Sequence, residues 1–328
     1  MRRIYLFVLV LYLGIIRSYA QIETQPLAGD STNYQSRKLH VDEVNIVSAY
    51  YHQEGNNSAV TGGIGTERLS DIANTFDLQI SKFNRHYRKN TFLFELGVDH
   101  YTSASSDKIN PFTISSASMS DTRVYPSLNW TQSNEKTGNS FGFTGSYSYE
   151  YDYQSIGAGF NLSRLTKDKN TQFDFKFQTF LDKWIVILPV ELRPAGSRGR
   201  EDDDDDGPRT PRNSFNSSFS ISQVISQRLQ TMLIFEPAYQ EGLLATRYQR
   251  NYFTDGSVRA ENLPGTRLKL PIGLRLNYFP DDHFIIRAFY RYYTDNWGIK
   301  AHTAEMEVPV KISPFFSVSP FYRYNKQS

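Results

Sequence analysis

A period of two dominates the chain. In Ile72-Ala73-Asn74-Thr75-Phe76-Asp77-Leu78-Gln79-Ile80-Ser81 every second residue is apolar except Asn74, and the intervening set is small or polar. Phe92, Phe94, Leu96 and Val98 alternate with Glu95, Gly97 and Asp99, and Phe173, Phe175 and Phe177 with Gln172, Asp174, Lys176 and Gln178. Leu268, Leu270, Ile272, Leu274, Leu276 and Tyr278 alternate with Lys269, Gly273, Arg275 and Asn277. Successive side chains of a strand point to opposite faces, so each such segment makes a ribbon with one greasy and one wet side. About thirteen segments of this kind can be marked out, each near the ~9–11 residues of a tilted membrane strand. After residue 20 the longest apolar run is Trp184-Ile185-Val186-Ile187-Leu188, far below the ~20 residues that a membrane helix needs. The expected fold is all-β and antiparallel.

Composition supports strands: 22 Tyr and 23 Phe stand beside only 4 Met. The absence of Cys excludes thiol catalysis, disulfide scaffolds and Cys-ligated zinc or iron–sulfur sites. A net charge of +2 gives no general attraction to nucleic acid, and none is expected as a partner. At the N-terminus, Arg2 and Arg3 precede the thirteen-residue apolar stretch Ile4 to Ile16, followed by Ser18-Tyr19-Ala20. That arrangement reads as a secretory signal peptide over residues 1–20, cleaved before Gln21, with residues 21–38 as a periplasmic lead.

The connections say which all-β fold to expect. Short gaps at 83–90, 133–139, 166–171, 225–228, 280–283 and 313–314 alternate with longer ones at 53–66, 103–121, 183–213, 240–265 and 294–300, the tight Tyr153 region being the exception. A soluble sandwich has no reason to keep its long loops at one end, whereas an outer-membrane barrel has short periplasmic turns and long external loops. The reading is therefore an antiparallel transmembrane β-barrel over residues 39–328. Tyr147, Tyr149, Tyr151 and Tyr153 at one end of a strand, opposite Phe141 and Phe143, suit a headgroup-level aromatic belt. Pro126, Pro237, Pro271, Pro309 and Pro320 fall inside expected strands, where they cannot donate a ladder hydrogen bond, and mark strand ends or bulges. Thirteen is an odd number and leaves Phe315 to Tyr324 as an edge, so 14 or more strands and a C-terminal truncation are expected.

Motifs that carry chemistry mostly fail. Gly138-Asn139-Ser140-Phe141-Gly142 has the spacing of a nucleophile elbow, but a strand follows where a helix is needed. Gly62-Gly63-Ile64-Gly65 lacks the Lys-Ser/Thr of a phosphate loop. Asp202, Asp204, Asp206 and Gly207 occupy the first, third, fifth and sixth positions of a calcium loop, yet the twelfth is Asn213, and Pro208 and Pro211 intervene. The run is read as a solvated mobile loop flanked by Arg198, Arg200, Arg209 and Arg212, with weak divalent-ion binding as the alternative. The six His residues show no two-ligand spacing on one strand face, and His302, near Asp295 and Trp297, suits a structural hydrogen bond. No metal, cofactor or reaction is expected.

Several stretches resemble a known family: Tyr50 to Glu67, Tyr239-Gln240-Glu241-Gly242-Leu243-Leu244-Ala245-Thr246, Leu270 to Phe279, and Trp297-Gly298-Ile299-Lys300-Ala301-His302-Thr303-Ala304. Together they resemble the exported Gram-negative proteins grouped as domain of unknown function 3570, over about residues 40–325. The resemblance implies an outer-membrane location and further Tyr-rich strands beyond Pro320-Phe321-Tyr322-Arg323-Tyr324. It implies no activity and no functional residue.

If the apolar sets face lipid, then Asp77, Glu95, Asp99, Asp174, Lys176, Lys269, Arg275, Arg287, Arg291, Glu305, Glu307 and Lys311 face a lumen. Of these, Arg275, Arg287, Arg291, Glu305, Glu307 and Lys311 are the pore-lining candidates. They either set a transverse field over a water-filled bore or staple a closed interior through Arg–Glu pairs. The functional expectation is a passive pore or transport channel for small polar solutes, with outer-membrane lipid and the barrel-assembly machinery as partners. The alternative is a structural or assembly component that docks a protein partner through the long loops.

Overall fold

The computed structural model describes residues 38–55, 68–102, 120–185, 209–244, 250–260 and 263–328, and contains no helix among them. The expected signal peptide, nearly all of the N-terminal lead, and Asp202, Asp204 and Asp206 lie outside the described residues.

Eight long strands come first: β1 (His40–Gln53), β2 (Leu69–Phe83), β3 (Lys89–Thr102), β4 (Ser120–Asn134), β5 (Asn139–Tyr149), β6 (Tyr153–Leu165), β7 (Thr171–Ile185) and β8 (Arg209–Ser226). Each pairs antiparallel with the one before it. The second half is cut into shorter pieces, and proline is the reason. β9 (Leu229–Phe235) and β10 (Ala238–Gly242) flank Pro237, and β11 (Arg250–Tyr252) with β12 (Val258–Ala260) forms a separate hairpin. β13 (Thr266–Lys269) and β14 (Ile272–Tyr278) flank Pro271, and β15 (Ile286–Thr294) is continuous. β16 (Lys300–Glu307) and β17 (Val310–Ser313) flank Pro309, while β18 (Phe316–Val318) and β19 (Phe321–Gln327) flank Pro320.

A proline lacks the N–H that its ladder position requires, but its carbonyl still accepts. Ser217 N–H donates to Pro237 O at 2.9 Å, Glu236 to Pro271 at 3.1 Å, Ile285 to Pro309 at 3.0 Å and Val308 to Pro320 at 3.0 Å. The breaks are therefore half-bonded joints within ribbons. Eight long strands, four proline-jointed ones and β15 make the thirteen ribbons that the alternation marks out. Pro126 differs, because it stays inside β4. The β4–β5 ladder runs from Val124↔Tyr149 to Ser127↔Ser146 and skips the two positions between without losing register.

The main sheet runs from β1 at one edge to β19 at the other, every neighbouring pair antiparallel. Six tight connections share one construction. A short polar residue stands in or at the start of each turn, and its side-chain oxygen accepts the N–H two residues on. Asn84 accepts from His86, Asn134 from Lys136 and Asp168 from Asn170. Ser226 accepts from Arg228, Asp281 from His283 and Ser313 from Phe315. All six belong to the same end of the sheet, by the up-and-down parity of the strands. The other end carries the connections 54–68, 103–119, 186–208 and 243–265, together with the tight turns 150–152 and 295–299. The loop expected over 183–213 is shorter than its spacing implied, because Arg209–Ser226 is already strand.

Burial is inverted relative to a water-soluble sheet. Among the described residues the buried large apolar side chains are Ile185 and Leu243 alone, whereas Ser81, Asp121, Ser148, Asp152, Ser155, Asp182, Ser214, Asp295 and Thr303 are all buried. Leu128, Phe143, Ile156, Leu181, Ile272 and Leu274 are exposed along their ribbons. On that apolar face Trp130, Phe143, Phe160, Phe175, Phe219 and Phe235 contact one another in sequence across six strands, ring centroids 4.7–6.4 Å apart. Trp130, Phe143, Phe160 and Phe175 lie four or five residues from the short-turn end and Phe219 and Phe235 six or seven, so the rings form one aromatic row across the face rather than a core.

Candidate functional site

The polar face is where side chains gather. Register places the expected lumen residues Arg275, Arg287, Arg291, Glu305 and Glu307 on it: Asn277 faces Arg287 across β14–β15, Arg287 faces Glu307 across β15–β16, and Gly273 faces Arg291. Arg287 Nη1 lies 3.2 Å from Glu307 Oε2, a half-exposed ion pair. Glu305 pairs instead with Arg323 of β19 at 3.2 Å, a partner that alternation alone does not single out. Arg275 lies over the ring of Phe289, 5.5 Å from its centroid, and Arg291 Nε is buried with no hydrogen-bond partner. Lys311 lies beyond the Pro309 joint, opposite Ser317 in the β17–β18 hairpin, and its N–H donates to His283 O at 2.7 Å, so it continues in register the β15–β16 ladder that pairs Arg287 with Glu307.

Arg275 also lines a solvent-open recess of about 230 Å³ near the short-turn end, with Gln172, Ser222, Gln230, Thr231 and Asn277. Further along the face the carboxylates are held by neighbours: Ser127 Oγ donates to Glu95 at 2.6 Å, and Tyr125 Oη donates to Asp99 at 3.0 Å. The Tyr125 ring can lie this close to β3 because residue 97 is glycine. A Cβ there would meet ring carbons at 2.0–2.1 Å.

At the long-loop end three clusters repeat one theme: an arginine paired with a carboxylate, a tyrosine hydroxyl beside them, and an aromatic face under the guanidinium. In the first, Arg212 Nε donates to Asp182 Oδ2 at 3.2 Å, its Nη2 to Tyr153 Oη at 3.1 Å, and its guanidinium lies over Tyr153 and Trp184. Arg212, expected in a mobile loop, is thereby pinned in β8. In the second, Arg267 Nε donates to Asp295 Oδ2 at 2.9 Å, Tyr293 Oη donates to the same oxygen at 2.8 Å, and the guanidinium lies 4.4 Å from the Trp297 ring centroid. Asp295 Oδ1 accepts the N–H groups of Trp297 and Ile299, both at 3.0 Å, and so also builds the 295–299 turn. Burial opposes ionisation of Asp295, but these donors outweigh it and hold the carboxyl below its usual pKa. His302 is not part of this cluster; its Nδ1 lies 2.7 Å from Tyr290 Oη on the apolar face.

The third cluster is richer in acid. Arg123 Nε lies 3.4 Å from Glu150 Oε1, Tyr101 Oη donates to Glu150 Oε2 at 3.0 Å, and Arg123 lies over the Tyr125 ring. Two more carboxylates, Asp121 and Asp152, join it, and one oxygen from each of Asp121, Glu150 and Asp152 lies within 4.8 Å of the others. Burial pushes the Glu150 carboxyl up; Tyr101 and Arg123 work against that, while Asp121 and Asp152 reinforce it. None of these three acids stands out in the sequence. Asp121 lies far along the chain from the 150–152 turn, and only the β4–β5 pairing brings them together.

Residues 90–328 match a family described as "Protein of unknown function (DUF3570)". The chain belongs to that family. No curated protein matches it. The DUF3570 span holds all three clusters and the expected pore-lining residues from Arg275 to Lys311, whereas β1 and β2, with Asp77, precede it. The elbow-like Ser140 of this DUF3570 chain lies in β5, paired with Ser133 and Ser163, with strand on both sides and no helix to shape an oxyanion pocket.

Proposed function

We propose that this DUF3570 protein is a transmembrane β-barrel of the outer membrane, acting as a passive pore for small polar solutes. The supporting observation is the inversion of burial: large apolar side chains exposed along nearly every ribbon, with Asp, Ser and Thr covered. In water such a face costs about 25 cal/mol for every Å² left wet, whereas hydrocarbon removes that cost. Closure into a barrel would cover the sheet's outer hydrogen-bonding edges, whose exposure hydrocarbon does not tolerate. The polar face then encloses water, and the Arg287–Glu307 and Arg323–Glu305 pairs set charges of both signs along one wall. No reaction is proposed.

The test is conductance in planar bilayers. Discrete steps are expected, with selectivity shifting toward cations when Arg275, Arg287 and Arg291 are replaced together by Gln. Silent bilayers from correctly folded protein would sink the pore, and a monodisperse protein in detergent-free buffer would sink the barrel as well. A second reading draws on the β11–β12 hairpin, since a loop that carries its own secondary structure exceeds what strand connection requires. It makes the protein an assembly component, with a partner docked on the long-loop end.

A further inference from the structure

We propose that Asp121, Glu150 and Asp152 form a binding site for a calcium-like divalent cation at the long-loop end of the sheet. The three carboxylates come from two backbone segments. Asp121 is the second residue of β4, and Glu150 and Asp152 bracket Tyr151 in the tight β5–β6 turn. Asp121 ties the two segments together, because its Oδ1 accepts the N–H of Thr122 at 2.7 Å and of Tyr151 at 3.4 Å. The turn is thus held over Asp121.

Two observations point to an ion. First, the converging oxygens lie within 4.8 Å of one another. Oxygens bound to one calcium at about 2.3–2.6 Å can be up to ~5 Å apart, while the shorter magnesium bonds and strict octahedron ask for a tighter set. Second, Asp121 is only 5% exposed, and its Oδ2 is buried with no hydrogen-bond partner. Withdrawing a carboxylate oxygen from water without a donor is costly, and a hard cation is what such an oxygen accepts. The site does not depend on the pore reading, since it lies on the strand ends and one turn.

The experiment uses the whole protein, purified in detergent and stripped with a chelator, and titrated with terbium(III), calcium and magnesium. Tyrosine-sensitised terbium emission is expected, because Tyr101 donates to Glu150, and calcium should displace the terbium at least tenfold more effectively than magnesium. Asp121→Asn and Asp152→Asn should each weaken terbium binding tenfold or more and abolish the rise in melting temperature that calcium gives the parent. The triple variant Asp202→Asn, Asp204→Asn, Asp206→Asn controls for the acidic run and should bind as the parent does. Should Asp121→Asn fail to fold, Glu150→Gln in the turn carries the comparison. The proposal is overturned if calcium leaves the parent's melting temperature unchanged, if emission survives in the cluster variants, or if it disappears with the 202–206 variant.

Discussion

Leu128→Arg separates a lipid-facing surface from a water-facing one. Leu128 is 52% exposed on the apolar face of β4, between Phe94 on β3 and Gly145 on β5. Even a Cβ at Gly145 would meet nothing within 4 Å, so the arginine meets no steric obstacle. Leu128 precedes the strand end Asn134 by six residues. At ~3.4 Å per residue and a tilt of ~40°, that is about 16 Å along the membrane normal, near the middle of a ~25 Å apolar band. Arginine at such a depth costs about 2–4 kcal/mol, roughly a 30- to 900-fold loss in the folded-to-unfolded ratio. In water, a substitution at an exposed site of this kind stays within about 0.5 kcal/mol. The adjacent Ser127→Arg is the control. It points to the other face, where Ser127 donates to Glu95 at 2.6 Å, and an arginine there gains an opposite charge. Its cost should stay within about 1 kcal/mol. Urea titrations of the protein folded into phospholipid vesicles, followed by tryptophan fluorescence, measure both. If Leu128→Arg is as stable as the parent, or Ser127→Arg is equally damaging, the assignment of faces is wrong.

Two further outcomes follow from particular contacts. Asp295→Ala should cost about 2–3 kcal/mol, because it strands the buried side of Arg267 and removes the acceptor of the 295–299 turn. The folded pKa of Asp295 is depressed, so its stabilisation is present above the unfolded carboxylate value of about 4 and is lost as pH falls through the lower native one; a pH series of unfolding curves should show a shallower acid slope in the variant. Gly97→Val should cost about 1–3 kcal/mol by displacing the Tyr125 ring from its seat, and the loss should shrink in a Gly97→Val, Tyr125→Ala double variant, as a double-mutant cycle would read out.

Ribbon number and sidedness were legible because alternation is a property of one strand at a time. Asp77, Glu95 and Ser127 fall on one face by counting in twos, and the register Asp77↔Glu95↔Ser127 agrees. The short turns were legible for a similar reason, since Asn84, Asn134 and Asp168 each act within two residues of themselves. The prolines were half-legible. Each marks a break in its own strand, but that the break is a joint depends on a carbonyl meeting the next strand's N–H. The clusters were not legible, because each is assembled across strands. Arg212 reads as part of a charged loop until β7 places Asp182 opposite it, and Glu305 finds Arg323 rather than the arginines nearer in sequence. The tight turn at 150–152, anomalous among longer loops, was the one local hint of the acidic site. A connection that short at the long-loop end leaves Glu150 and Asp152 no freedom to diverge, and the Asp121 oxygen that accepts the Tyr151 N–H fixes where they meet.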